Sequence, residues 1–528
     1  MEHKRVKSIK FDEVNFYSKL IKDYLSGDLK EKGLVDWDYS LEQLAKNKSR
    51  NYSSETRKLV HAALINQYNG FDLSIKEKEH LEQFSKEECY SITTGHQLML
   101  IGGPMFFYTK IMDVVNLCKE ISTSDQPVVP IFWMASEDHD YEEISKVHLF
   151  GKTLSCEGDN KGPVGRIPKE YFSEFLNTVN DVLGDGEQFA EIKSIINDSF
   201  NNGSNLSQIT RIFVRELFKD EGLLIIDGDD PELKGLFREA FEKELTENCS
   251  HESSKSHIEK LGVEYKIQVK PRDINLFFIE DEVRKRIVNT NSGFSTPDAI
   301  HNWTDIEIVN LIASSPERIS PNVILRPVYQ EVLLPNLAYI GGAGEIAYWL
   351  ELKPVFKAFN VDFPLPIVRN PYFIIPEKSY TWLEEQGVEV ERLFEDIDLL
   401  VNKMTKEISS DEISFDLEYS QLKSFYEALK NKGLKVNPQL EKVVFGEEKR
   451  AISALQNVEK RFLKAEKQKH EGHLNKLKVI HAKLFPNGKP MERVDSFIPL
   501  LIDKKFDFKK SLKQTGSVFN KRIYFLIK

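Results

Sequence analysis

Hydrophobic residues recur with different periods along this 528-residue chain. Up to about residue 90 the steps are three and four. In FDEVNFYSKLIKDYL, Phe16, Leu20 and Tyr24 lie four apart with Val14 and Ile21 beside them, which is one helical stripe. Near residue 89 the pattern changes. CYSITTG (89–95) is a short β-prone run that ends at a glycine. After GGP, the stretch MFFYTKIMDVVNLCKEI repeats Phe107, Ile111, Val114, Cys118 and Ile121 at helical steps. Pro104 suits the start of that helix, because the N–H it lacks would have no partner there. QPVVPIFWMA is a second apolar run rich in β-branched residues. Strand, glycine turn, helix and strand in this order predict a β-α-β unit with parallel strands. EGLLIIDGDD (221–230) predicts another buried strand ending in acids. VILRPVYQEVLLPNLAYIGG (323–342) predicts strand, short helix, strand, and GAGEIAYWLELKPVFKAF (342–359) a helix bent or ended near Pro354. The fold class is α/β with an open parallel sheet. Residues 150–220 are mostly helical and too long for a loop, so they read as an insertion, as does the stretch from about 240 to 320.

DFPLPIVRNPYFIIP (362–376) carries four prolines and predicts a domain boundary near residue 375. Beyond it the chain is charged and helical. Leu393, Ile397, Leu400, Met404 and Ile408 form one seam, and Leu455, Val458, Phe462 and Ala465 another. His473, Leu477, Ile480 and Leu484 resume the second seam after a stutter at Lys469. Two long helices with narrow apolar seams predict an antiparallel coiled coil over residues 376–485, and such a seam also suits a second copy. LFPNGKPMERVDSFIPLL breaks the helix, and residues 486–528 are expected to return to the core.

Composition narrows the function classes. A 41% hydrophobic share suits a protein with a real core. The net charge of −11 argues against a nucleic-acid binder, although Lys and Arg outnumber Asp and Glu by 21 to 10 from Glu441 onward. Cys89, Cys118, Cys156 and Cys249 make no zinc spacing. The first residues lack the apolar core of a signal peptide, and no run nears the roughly 20 apolar residues of a membrane span. A reduced, soluble, cytoplasmic protein with no membrane or nucleic-acid partner is expected.

In an open parallel sheet, ligands bind outside the carboxyl ends of the strands. PIFWMAS is such a strand, so EDHD follows at its carboxyl end, with Asp138, His139 and Asp140 as candidate catalytic residues. The same residues also read as a surface turn in which Asp140 caps a helix, with Glu143 three residues on. Consecutive acids and a histidine do not suit zinc, since neighbours on a strand point to opposite faces. Asp138 beside a nucleotide is the better metal reading, with Mg2+. TTGHQLMLIGGP places Gly95, His96 and Gln97 at a strand end, where backbone N–H groups can approach phosphate. The plain alternative is a strand-ending turn. GGAGEIA satisfies G-x-G-x-x-A at Gly342, Gly344 and Ala347, with Asp362 following, a dinucleotide fingerprint on paper. It also reads as a tight turn with Glu345 in the first helical turn, where the helix dipole favours a carboxylate. Arg326 in RPVYQE can clamp a carboxylate or phosphate, or make an ion pair between domains.

Taken in order, TTGHQLMLIGGPMFFYTKI, PIFWMASEDHDYEEI, LLIIDGDDPELKGLF, ILRPVYQEVLLPNLAYIGGAGEIAYWLELKPVF and LFPNGKPMERVDSFIPLL resemble the cysteine-adding enzyme family of bacillithiol biosynthesis. The resemblance covers nearly the whole chain, and EDHD and GGAGEIAYW are its most specific parts. It implies a Rossmann-like core with helical connecting-peptide insertions over residues 1–375. It also implies an α-helical coiled-coil domain over 376–485 that supports a homodimer, and a C-terminal segment over 486–528. The implied activity is a ligase that adds cysteine to glucosaminyl-malate through an amide bond, with ATP as co-substrate and Mg2+ as its companion. In that reading His96 and Gln97 line a phosphate-facing turn. Asp138, His139 and Asp140 orient amines or Mg2+, with His139 as the base. Glu345 and Tyr348 hold the amino or sugar group, and Arg326 meets the malate or a phosphate. One departure stands out: His96 occupies a place where relatives often carry glutamine. Two other classes stay open, an NAD-dependent oxidoreductase built on GGAGEIA and a non-catalytic coiled-coil scaffold with a degenerate core.

Overall fold

The computed structural model describes residues 6–48, 52–280, 283–409 and 414–528. The chain forms two compact units. One holds Phe16–Ile374, Met491–Lys528 and, among the described residues, the chain up to Asp12; the other is chiefly Ile375–Pro490.

At the centre of the first unit is a five-stranded sheet: β1 (Tyr90–His96), β2 (Val128–Met134), β3 (Leu224–Asp227), β4 (Asn336–Gly341) and β5 (Leu365–Val368). The spatial order is β5-β4-β1-β2-β3, and every pair is parallel. All seven residues of β2, VVPIFWM, are buried, as expected of a strand covered on both faces. Helix α1 (Phe106–Ile121) links β1 to β2 and buries Phe107, Ile111, Val114 and Cys118. From β1 the chain winds outward through β2 and β3, then crosses to β4 and β5 on the other side. The strand order therefore switches between β1 and β4, the place where a crevice opens in such sheets.

The connections hold more β-structure than the sequence pattern predicts. A strand at Val6–Lys10 precedes the N-terminal helices and pairs antiparallel with Arg522–Ile527. Helix Lys19–Ser26 starts after Phe16, so that residue is not on its stripe. Within the 240–320 insertion, Leu276–Glu280 pairs antiparallel with both Val283–Arg286 and Ile319–Pro321. The strand expected from residue 323 is absent; it lies earlier, at Ile319–Pro321. Arg326 is consequently the first residue of a helix, Arg326–Leu333, with Pro327 in its first turn. Residues 342–359 form two helices, α2 (Ala343–Glu351) and Lys353–Ala358, divided at Leu352 just before Pro354.

Met491–Lys528 is fastened to the sheet by a buried bidentate pair. Arg369, just after β5, meets Glu492 at 2.8 and 2.5 Å, and Glu492 also accepts the Tyr372 N–H at 2.9 Å.

The second unit is helical: α3 (Ile397–Ile408), α4 (Asp416–Val436), α5 (Leu440–Lys469) and α6 (Glu471–Leu484). Lys430 pairs with Glu441 at 3.2 Å and the Tyr419 hydroxyl donates to Glu459 at 3.0 Å, so α4 and α5 run antiparallel. The sequence seams had passed over α4, whose Leu417 and Phe425 are exposed. The stutter near Lys469 is an actual helix break, at His470.

Candidate active site

The carboxyl ends of β1, β2 and β4 open on a cavity of about 620 Å³. Gly95, His96, Gln97, Asp138, His139, Arg326, Glu345 and Tyr348 all line it, although they come from distant parts of the chain. Asp140 and Gly344 do not. The Asp140 carboxylate accepts the Glu143 N–H at 3.2 Å and so caps the short helix Tyr141–Ile144. Gly344 is exposed on α2, and a Cβ there would meet nothing within 4 Å.

Glu345 is the most heavily bonded group of the rim. Its carboxylate accepts from Lys110 at 3.1 Å, the Tyr339 hydroxyl at 3.0 Å and the Gly342 N–H at 2.8 Å. Burial pushes this carboxyl up, but the Lys110 ammonium and the Gly342 N–H outweigh it and hold it at about 2. Lys110, on α1 and 1% exposed, also donates to the Gly95 carbonyl at 2.6 Å. One buried cation thus joins the ends of β1 and α2. His96 packs its ring against Phe106 and Phe107. Burial, then the Lys110 charge, push its imidazole down to about 3, so it is neutral.

The EDHD loop divides its work residue by residue. Glu137 is buried against Lys234, which is 0% exposed and also donates to the Ile319 carbonyl at 2.6 Å. Asp138 accepts the His139 N–H at 2.7 Å on one oxygen and the Gln97 side-chain amide on the other. Nδ1 of His139 lies 2.9 Å from a guanidinium nitrogen of Arg284. Arg284 itself stacks 4.0 Å over the Phe277 ring. Lys270, Arg272 and Arg286 also line the cavity and have no ion-pair partner among the described residues.

Two glycine motifs serve packing. A Cβ on Gly102 would sit 2.7 Å from Phe497 and one on Gly103 2.8 Å from Met99, so this pair is packed into the core and does not line the cavity. The nearby Leu100 and Ile101 are buried with it. In GGAGEIA, the Gly342 N–H is already held by the carboxylate of Glu345, which takes the place a pyrophosphate would need. Asp362 precedes β5 where the fingerprint needs an acid at a strand end. Gly95 is different: a Cβ there would press on Arg326 Nη1 and the Tyr339 hydroxyl, both at 3.3 Å. Gly95→Ala is expected to cost about 1–3 kcal/mol by overpacking and to displace Arg326. Gly344→Ala is the matched control and should cost nothing. Denaturant midpoints of the two variants check the pair.

The profile described as "Bacillithiol biosynthesis BshC, N-terminal Rossmann-like domain" matches residues 4–370, and "Bacillithiol biosynthesis BshC, C-terminal coiled-coil domain" matches residues 372–527. The chain belongs to the BshC family. A protein of Flavobacterium psychrophilum is 38% identical over 94% of both chains, and one of Flavobacterium johnsoniae 36% identical over 94% of both. A protein of Anoxybacillus flavithermus is 28% identical over 86% of this chain and 87% of its own. Each bears the name "Putative cysteine ligase BshC". The chain is therefore an enzyme of the ligase class, which sets aside the oxidoreductase and scaffold readings.

Within a BshC cavity of this build, several working groups escape the sequence pattern. Lys110 lies on a helix whose apolar stripe hides it, and Arg284 owes its importance to a partner 145 residues away. The charge-rich runs YKIQVKPR and VRKR are the local signal of the lining cations Lys270, Arg272 and Arg286. Among the described residues, no group of three or more His, Cys, Asp or Glu could hold a metal ion. Each oxygen of Asp138 accepts a hydrogen bond, one from Gln97 and the other from the His139 N–H, which fixes the direction of the carboxylate. No helix among the described residues is long and apolar enough to cross a membrane.

Proposed function

We propose that this ligase joins the carboxyl group of cysteine to the amine of glucosaminyl-malate, after a nucleoside triphosphate has activated the carboxylate. A cavity lining that holds both carboxylates and cations without an ion-pair partner carries the reading. Asp138 lines the space with no lysine or arginine within 4 Å of its carboxylate, which suits an ammonium. Lys270, Arg272, Arg286 and Arg326, which line the same space, suit phosphates and the two carboxylates of malate. Relatives named as cysteine ligases support the identity of the acyl donor.

A carboxylate is a poor acyl donor because its oxygen must leave as oxide. Transfer of a phosphoryl or adenylyl group to that oxygen supplies a stable leaving group. The amine nitrogen then forms the C–N bond as the C–O bond to phosphate breaks, its electron pair departing with the phosphate. Gly95, Gln97 and Tyr348 line the space, and holding the two substrates together in it supplies much of the acceleration. Any Mg2+ would arrive on the triphosphate, and an ATP-dependent condensation of this kind belongs in the cytoplasm. Cysteine labelled with 18O in its carboxyl group tests the activation. Label should pass to AMP by an adenylyl route or to phosphate by a phosphoryl route; amide formed without labelled AMP or phosphate contradicts it.

A homodimer through the helical unit belongs to the same proposal. Leu422, Phe425, Ala451, Leu455 and Val458 line an apolar groove on α4 and α5, with Phe425 57% and Val458 42% exposed. An apolar groove of this kind marks an interaction surface. Light scattering should give a dimer for the wild type and a folded monomer for Phe425→Asp/Val458→Asp.

A further inference from the structure

We propose that His139 acts as a fixed, neutral hydrogen-bond donor to the acyl oxygen of the activated carboxylate, and that Arg284 is the positioning residue that enforces this polarity. The inference rests on the ligase reading above. It reverses the role of base that the sequence suggests for His139.

A guanidinium carries only N–H donors and keeps its charge in proteins. With Arg284 Nη1 2.9 Å from His139 Nδ1, the imidazole nitrogen has to accept. Its ring proton then sits on Nε2. Arg284 has no freedom to turn away. Its Nε donates to the Ser320 hydroxyl at 3.1 Å, its Nη2 to the Pro321 carbonyl at 2.9 Å, and its plane rests on Phe277. A ring with Nδ1 engaged and Nε2 protonated has no lone pair left for a substrate proton. The charged groups that face it are Arg284 from the small sheet, and Asp138 and Asp140 from its own loop. Burial and Arg284 together hold the imidazole below its ordinary value despite those two carboxylates. The donor is also available. Nε2 has no partner among the described residues, and the side chain is 43% exposed. The ring forms part of the wall between the cavity and an adjoining cleft of about 930 Å³.

The step balances as follows. The substrate ammonium first loses a proton to Asp138. The amine lone pair forms the C–N bond, and the carbonyl π pair moves onto the acyl oxygen, where the Nε2–H of His139 meets it. The oxyanion collapses, the C–O bond to phosphate breaks with its electron pair on the phosphate, and the second amine proton leaves with that phosphate. His139 gives up no proton. A donor aimed at developing negative charge in this way is worth about 100- to 1,000-fold in kcat.

The test joins a spectroscopic and a kinetic readout. Side-chain 15N NMR of protein labelled at its 12 histidines, near neutral pH, reads the tautomer. His139→Gln supplies the assignment by difference. We expect the Nε2–H form in the wild type and its loss in Arg284→Met. His139→Ala should lose about 100- to 1,000-fold in kcat. His139→Gln should recover part of the loss seen in alanine, because its side-chain oxygen can accept from Arg284 while its amide N–H stands in for Nε2–H. An Nδ1–H or doubly protonated ring in the wild type overturns the proposal, as does a glutamine variant no better than alanine. If the wild type forms no amide, the ligase reading falls and the acyl oxygen with it, while the tautomer still decides whether Arg284 sets the donor polarity.

Discussion

Glu345→Ala is expected to abolish amide formation and to cost about 3–5 kcal/mol of stability, because it leaves the buried ammonium of Lys110 without its counter-charge. Lys110 is 1% exposed and has only the Gly95 carbonyl left to meet. The loss spreads, since Gly95 at the end of β1 and Gly342 at the start of α2 are both held through this pair. Glu345→Gln separates charge from geometry. Its amide oxygen can still accept the Gly342 N–H and its amide N–H can donate to the Tyr339 hydroxyl, while the anion is removed. The sign of the pH effect follows from the depressed carboxyl. Its folded value of about 2 lies below its ordinary 4.5, so its stabilisation is complete above 4.5 and is lost as pH falls through about 2. Denaturant midpoints measured down that range should fall in the wild type by more than in Glu345→Gln. Parallel curves would mean that the carboxylate contributes no net charge stabilisation.

Arg369→Met should be as damaging to the fold while leaving every cavity-lining residue in place. Glu492 is 1% exposed and Arg369 4%, and the carboxylate also accepts the Tyr372 N–H. Removing the guanidinium strands a buried anion, at a cost of about 3–5 kcal/mol. The same physics predicts a partial cure. Arg369→Met/Glu492→Met removes both charges and should recover much of the loss, because a buried pair often does no better than apolar residues of similar volume. Urea unfolding of the wild type, both single variants and the double variant closes the cycle. Losses that simply add would show that the two side chains are not coupled.

The readable parts of the sequence are those where one local rule decides the outcome. The apolar run of β2 and the stripe of α1 each declare their element, and EDHD falls beyond the carboxyl end of β2. Other features depend on partners distant in the chain. Whether Asp138 lines the cavity while Asp140 caps a helix is settled by a turn that the residue types alone leave open. The glycines at 102 and 103 have no meaning in the local pattern, and Phe497 and Met99, which crowd them, account for both. Arg326 looked like a strand end because Val323, Ile324 and Leu325 are β-prone; Pro327 instead starts a helix there. Arg284 gave no signal, since its value lies in meeting His139, Ser320 and Pro321 at once.

The central claim is that the cavity at the ends of β1, β2 and β4 is where the amide forms. Mass spectrometry of purified protein with ATP, Mg2+, cysteine and glucosaminyl-malate tests it most directly when the wild type is run beside four variants. The account predicts condensed thiol from the wild type, Asp140→Asn and Gly344→Ala, and almost none from Asp138→Asn and Glu345→Gln. Equal product from all five proteins would contradict it.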